Sequence, residues 1–295
     1  MTGKERLQLI LDGQIPDRPP HWELVFQLEK AMLGMDPETV AEADRPTFQL
    51  DVYHQLIDEL GWAAVSGGYD AAGVERTKTA LGHKALVPAY EGAGVFWMPT
   101  GGDMMDFVVR LFEHPDELHA EARQKCDNAK SFFKEANESG ADFFVLTYDF
   151  GFNDGPFISP QQFSEFVTPY LTELVDSIHD LGKKAILHSD GCLTEIIDQL
   201  HGTGLDGYQS VDPQGHMDIQ EVRRQYPDWI LMGNVACNML QDAVEEEIRE
   251  SVRYCMTHGG IGKPYIFSTS NCIFNGMPPE SYKIMLDEYD SISAV

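Results

Sequence analysis

The 295-residue chain reads as an α/β protein, a single (β/α)8 TIM barrel spanning residues 1–295. Three observations predict it. From residue 115 onward, short apolar runs alternate with longer amphipathic stretches, a rhythm that demands a parallel sheet. No Gly-x-Gly-x-x-Gly follows the first apolar run and no P-loop pattern occurs, which argues against a nucleotide-binding open sheet. Polar residues with useful chemistry stand just after the apolar runs, where barrels bind their ligands.

The elements follow in order. Lys4 to Leu11 forms a short N-terminal helix closed by Asp12-Gly13, and Pro16, Pro19 and Pro20 break the chain after it. His21 to Phe26 supplies the first strand. Arg45 to Leu60 is a helix with Phe48, Val52, Leu56 and Leu60 on one face. Trp62 to Val65 is the second strand, ended by Ser66-Gly67-Gly68. Between 80 and 103, two apolar runs separated by glycines predict an inserted β-hairpin, and a third barrel strand falls within Met104 to Leu111. Then the rhythm becomes regular: helix 115–138, strand 143–146, helix from Ser159-Pro160 to Leu181, strand 185–188, helix 193–201 and strand 207–211. Helix 218–226, strand 230–233, helix 243–258, strand 264–268 and a closing helix 279–289 complete it.

Bulk properties narrow the function. Lysine plus arginine number 21 against 48 acidic residues, a formal charge of −27. Such a surface repels nucleic acid and anionic membranes. With no long apolar segment and no apolar leader at the start, the expectation is a cytoplasmic protein without membrane contact. Five cysteines with no Cys-x-x-Cys make a disulfide framework unexpected. Cys126 and Cys255 lie in helical segments and read as packing residues, whereas Cys272 sits in a polar loop that favours a functional reading. Cys192 suits a helix cap, and Cys237 is balanced between packing and function.

The segment Ile186-Leu187-His188-Ser189-Asp190-Gly191-Cys192 carries most information. Residues two apart on an extended chain point the same way, so His188 and Asp190 leave the strand together. Ring closure would gather around them His21 and Glu23, Tyr148 and Asp149, Gln209 and Asp212, Asn234 and Cys237, and Ser268 with Ser270, Asn271 and Cys272. Two chemistries remain open for such a set. Imidazole, carboxylate and thiolate suit a zinc ion with an open position. Alternatively, Asp149 or Asp190 acts as a general acid or base oriented by His188.

Several segments, taken in order, carry a resemblance. They are Lys4-Glu5-Arg6-Leu7 with Ile15-Pro16-Asp17-Arg18-Pro19-Pro20, Ser159-Pro160 through Thr168-Pro169-Tyr170, Leu187 to Gly191, and Met232-Gly233-Asn234-Val235. Tyr265-Ile266-Phe267-Ser268 followed by Met277-Pro278-Pro279-Glu280-Ser281-Tyr282 completes the set. Across nearly its full length the chain resembles the uroporphyrinogen decarboxylase superfamily, which holds decarboxylases and cobalamin-dependent methyltransferases. The decarboxylases carry an arginine-rich segment after the first strand, and residues 21–30 here contain no arginine. The methyltransferase branch is more similar. Its zinc members place a His-x-Cys after one strand and a cysteine after the last; His188 and Cys272 match, and Asp190 stands at the middle cysteine. The resemblance implies a corrinoid-dependent methyltransferase acting on a small methyl ether, amine or thiol. Zinc would be held by His188, Asp190 and Cys272, with Glu23 as a further ligand, and cobalamin would be carried by a partner corrinoid protein. Asp149, Tyr148 and Asp190 take the catalytic places, and His21, Glu23, Asn234 and Gln209 the substrate-binding ones. The alternatives are a tetrapyrrole decarboxylase of the uroporphyrinogen type and a non-catalytic ligand-binding barrel.

Overall fold

A computed structural model describes residues 1–242 and 244–293. Two extended segments, 20–22 (β1) and 63–65 (β2), precede six strands: Ala89–Glu91 (β3), Phe144–Thr147 (β4), Ala185–His188 (β5), Gly207–Gln209 (β6), Ile230–Val235 (β7) and Tyr265–Thr269 (β8). The six form one all-parallel sheet in chain order. The first two segments close it into a ring. The Trp22 amide donates to the Phe267 carbonyl at 3.2 Å, Ala63 to His21 at 2.9 Å, Val65 to Leu86 at 3.0 Å, and Ala89 to Phe143 at 3.1 Å. The expected (β/α)8 barrel is the fold observed.

Strand parity sorts the core into two layers. Val145, Ile186, Met232 and Ile266 point inward and pack with Trp22 and Tyr90, while Leu7, Ile10 and Leu11 of the helix Gly3–Leu11 join this inner cluster. Phe144, Leu146, Leu187, Leu231 and Phe267 point outward into the layer between strands and helices. Alternation with both faces buried is what a parallel barrel requires. The N-terminal helix begins with a full capping box, Thr2 and Glu5 satisfying each other's backbone amides.

Three expectations need correction. No hairpin forms over 80–103: Leu86 bridges Ala64 in parallel, and Ala89–Glu91 runs parallel to Phe144–Leu146, so this stretch is the third barrel strand itself. Met104 to Leu111 is therefore not a strand but lies in a helix, Asp103–Glu113. Its apolar residues recur at three and four rather than at two. The helix from Ser159 splits at Val167 into Pro160–Phe166 and Thr168–Asp180, because Pro169 offers no amide to continue the first piece. Ala243, expected to begin a helix, lies outside the described residues, and the helix Glu245–Cys255 follows it.

Candidate metal centre at the barrel mouth

The strand ends β4 and β5 bring Asp149, His188 and Asp190 together, with one ligating atom of each within 4.8 Å of the others. His188 continues the inward parity of Ile186, so its ring reaches over the barrel interior. Gln209, at the end of β6, faces inward beside it. The Gln209 amide nitrogen donates to the carbonyls of Ser270 at 3.2 Å and Thr269 at 3.4 Å. That fixes which end of the amide is oxygen, and the oxygen meets His188 Nδ1. Nδ1 must then carry the hydrogen. Nε2 faces Asp149 Oδ1 at 3.6 Å. An imidazole held this way is prepared to bind a metal ion or accept a proton.

Asp190 is held from three sides. Ser210 donates its hydroxyl to one carboxylate oxygen at 2.8 Å, the Asn271 amide donates to the other, and the Asp190 backbone amide donates to Asp149 Oδ1 at 3.2 Å. Burial pushes the Asp190 carboxyl above its ordinary range, against the pull of His188 and the Ser210 hydroxyl. A cation at the trio would offset that burial. The partners of both carboxylates are neutral donors and His188, with no guanidinium or ammonium group among them.

The loops carrying these residues are packed backbone to backbone. Gly191 has φ of +83°, and a Cβ there would fall 2.2 Å from the Gly151 carbonyl oxygen. A Cβ on Gly215 would fall 2.2 Å from the Gly191 carbonyl carbon. Three glycines, each shortly after a strand end, thus let the loops after β4, β5 and β6 touch. Asp212 joins them by accepting the Gly191 amide at 3.0 Å and capping the turn at Gln214 at 2.9 Å.

Other expected site residues lie elsewhere. His21 and Glu23 have the parity opposite to Trp22 and sit between the barrel wall and the helix Pro279–Ser293, not in the mouth. His21 Nε2 meets Glu23 and the Tyr282 hydroxyl, each at 3.2 Å. Glu23 is fully buried and accepts from the Thr269 amide at 3.0 Å, the Thr269 hydroxyl at 2.7 Å and the Ser268 hydroxyl at 3.1 Å. Through these bonds it stitches the β1–β8 seam. Tyr148 also points outward: its hydroxyl bonds the Glu91 carboxylate, and burial with that neighbour raises its pKa well above the ordinary phenol value. Asn234 donates to the Val211 carbonyl at 2.8 Å and accepts from Cys255 at 3.2 Å, so it braces β7. Gln209 is fully buried, with its amide oxygen against His188. Cys272 is close enough to Asp190 and Glu23 that both, after burial, push its thiol up, yet it stands outside the three-residue group. Cys237 is buried, with its thiol pushed to about 11 by desolvation. Ser210 and Asn271 were not anticipated as partners of Asp190; Ser210 has φ of +99°, a conformation no sequence pattern announces.

Comparison with known proteins agrees with the architecture. Residues 92–292, more than half of the chain, match the family model described as uroporphyrinogen decarboxylase (URO-D). A uroporphyrinogen decarboxylase of Pseudoalteromonas atlantica is 25% identical over 205 residues, 67% of this chain and 56% of the relative. One of Myxococcus xanthus is 24% identical over 243 residues, 78% of this chain and 66% of the relative. The chain thus spans less than two thirds of the length of these relatives. Among solved structures, a methyltransferase from Methanosarcina mazei superposes with a TM-score of 0.80 at 15% identity, covering 99% of both chains. A B12-independent methionine synthase from Shewanella sp. W3-18-1 gives 0.51 at 11% identity, over 76% of this chain and 65% of that one. These two likenesses establish the barrel alone. Strand order, ring closure and the matched span together place this chain in the uroporphyrinogen decarboxylase family.

Proposed function

We propose that this protein is a metal-assisted, corrinoid-dependent methyltransferase that moves a methyl group between a small ether, amine or thiol and a corrinoid carried by a separate protein. The observation that carries the reading is the Asp149–His188–Asp190 group, with His188 Nε2 turned toward the Asp149 carboxylate. One imidazole nitrogen and two carboxylates within 4.8 Å fit a zinc ion with a position left open. Bound there, zinc supplies Lewis-acid stabilisation to the heteroatom that gains or loses methyl. The chain's own residues do the rest. Gln209 fixes the His188 tautomer, Ser210 and Asn271 hold both Asp190 oxygens, and Asp149 closes the group from β4. Since Cys272 stands outside the group, the donor set is harder than a thiolate site.

Decarboxylation of a porphyrinogen fits less well. A substrate with many carboxylates needs cationic partners, and residues 21–30 hold none but Lys30, whose ammonium pairs with Asp36 at 2.7 Å. The carboxylates at the mouth would repel it. The methyltransferase neighbour from M. mazei is consistent with the proposed reading.

The test is metal content together with methyl transfer. Wild-type protein should retain close to one metal ion per chain, His188→Ala and Asp190→Ala should lose it, and Cys272→Ser should lose it less. Metal-stripped protein that transfers methyl at the full rate would overturn the metal-assisted reading. Conversion of uroporphyrinogen to coproporphyrinogen would return the protein to the decarboxylases.

A further inference from the structure

The helix Asp103–Glu113 has two apolar faces. Phe107 and Leu111 point inward, Phe107 packing on Phe96 at 5.4 Å and Phe157 at 5.9 Å between ring centroids. Met105, Val108, Val109 and Phe112 recur at the same helical spacing and point to solvent; Met105 is 70% exposed and Phe112 72%. Exposed apolar residues scattered singly need no explanation, but a continuous stripe on one helix face does. Beside it, Val108 and Phe112 line a groove of about 430 Å3 shared with Pro156 of the hairpin Gly151–Phe152/Gly155–Pro156. The helix is an extra element between β3 and the helix Pro115–Glu138, at the end of the barrel that carries the metal group. The connection is short: Phe96 packs on the helix, and two residues later the Met98 amide donates to the Asp149 carbonyl at 2.8 Å.

We propose that this stripe and groove seat the protein that carries the corrinoid, an inference that rests on the methyltransferase reading. A carrier must bring its methyl-bearing group to the barrel mouth, and this is an apolar surface joined directly to the segment holding Asp149. Charge selects the occupant. Asp103, Asp106 and Glu113 flank the stripe and are exposed, and the chain carries a formal −27. Arg110, the one cation of this helix, lies 3.9 Å from Asp106 and pairs with Glu121 at 2.6 Å. A second copy would oppose like charges around the same stripe, whereas a carrier with an apolar centre and a cationic rim meets it with complementary charge.

The probe is the source organism's corrinoid-binding protein loaded with methylcobalamin, titrated against this protein at low and high salt. Wild type should bind it. Met105→Ser combined with Phe112→Ser should weaken the Kd at least tenfold, with circular dichroism and metal content unchanged, because both side chains face solvent. Asp106→Lys should weaken it less and flatten its salt dependence. Equal affinity of the double variant, or no binding by wild type, overturns the proposal. So does a wild-type dimer in light scattering that the double variant lacks, which would assign the stripe to a second copy. The reading of function is scored separately with free methylcobalamin as methyl carrier. Its failure there, with binding lost in the double variant, would leave the docking surface standing.

Discussion

Gln209 makes hydrogen bonds with an imidazole and two backbone carbonyls, and its orientation decides which His188 nitrogen faces the carboxylates. Replacing it by leucine frees the imidazole to rotate and to change tautomer. We expect Gln209→Leu to bind metal about 10- to 100-fold more weakly, as other losses of outer-shell partners do, measured by competition with a chelator. Tyr148 offers the opposite expectation. Its hydroxyl meets Glu91 away from the mouth, so Tyr148→Phe should cost about 1–3 kcal/mol of stability in denaturant melts and leave KM unchanged. His188 and Asp190 were legible because an apolar run ending in His-x-Asp needs only the two-residue repeat to place both side chains. Tyr148, His21 and Glu23 were misplaced for the same reason in reverse. The face a strand residue takes depends on which neighbour enters the core, and Trp22 does so in β1.

At the level of elements, glycines set the spacing of the loops that bear the site. Gly191 combines a positive φ with a carbonyl 2.2 Å from any added Cβ. Gly191→Ala must move the loop after β4 or that after β5. It should lower stability by more than about 2 kcal/mol, the range of severe backbone effects, and reduce bound metal in parallel; a thermal melt and metal analysis check both. The regular half of the barrel, from residue 115 to the last helix, was readable because each strand there is a short apolar run bounded by turn signals. The region 80–103 was not, because Pro88 and the glycines at 92 and 94 resemble hairpin punctuation while the pairing that makes 86–91 a barrel strand is with distant residues 64 and 144–146. Local pattern cannot report such partners.

On the scale of the whole molecule, an acidic chain is held at its N-terminal end by a few well-formed ion pairs. Arg6 grips Asp17 with both carboxylate oxygens, at 2.7 and 2.8 Å, and this holds the Asp17 carboxyl at about 2, below its usual 3.8. A carboxylate with a depressed folded-state pKa stabilises fully above its unfolded value, and that contribution disappears as pH falls through the folded one. Asp17 is 48% exposed, so screening keeps the effect below about 1 kcal/mol. Asp17→Asn should therefore lower the melting temperature slightly at pH 6, with the difference shrinking as pH falls from about 4 toward 2 and vanishing below it.

Glu23 binds residues 245 and 246 positions further along the chain, and the two segments it draws together are the thinnest part of the ring, where β1 and β2 each pair through a one-residue bridge. A newly made chain cannot finish its wall until the final strand has left the ribosome and met the first. Until then the hydrophobic lining from Trp22 to Ile266 has no closed wall to shield it from water.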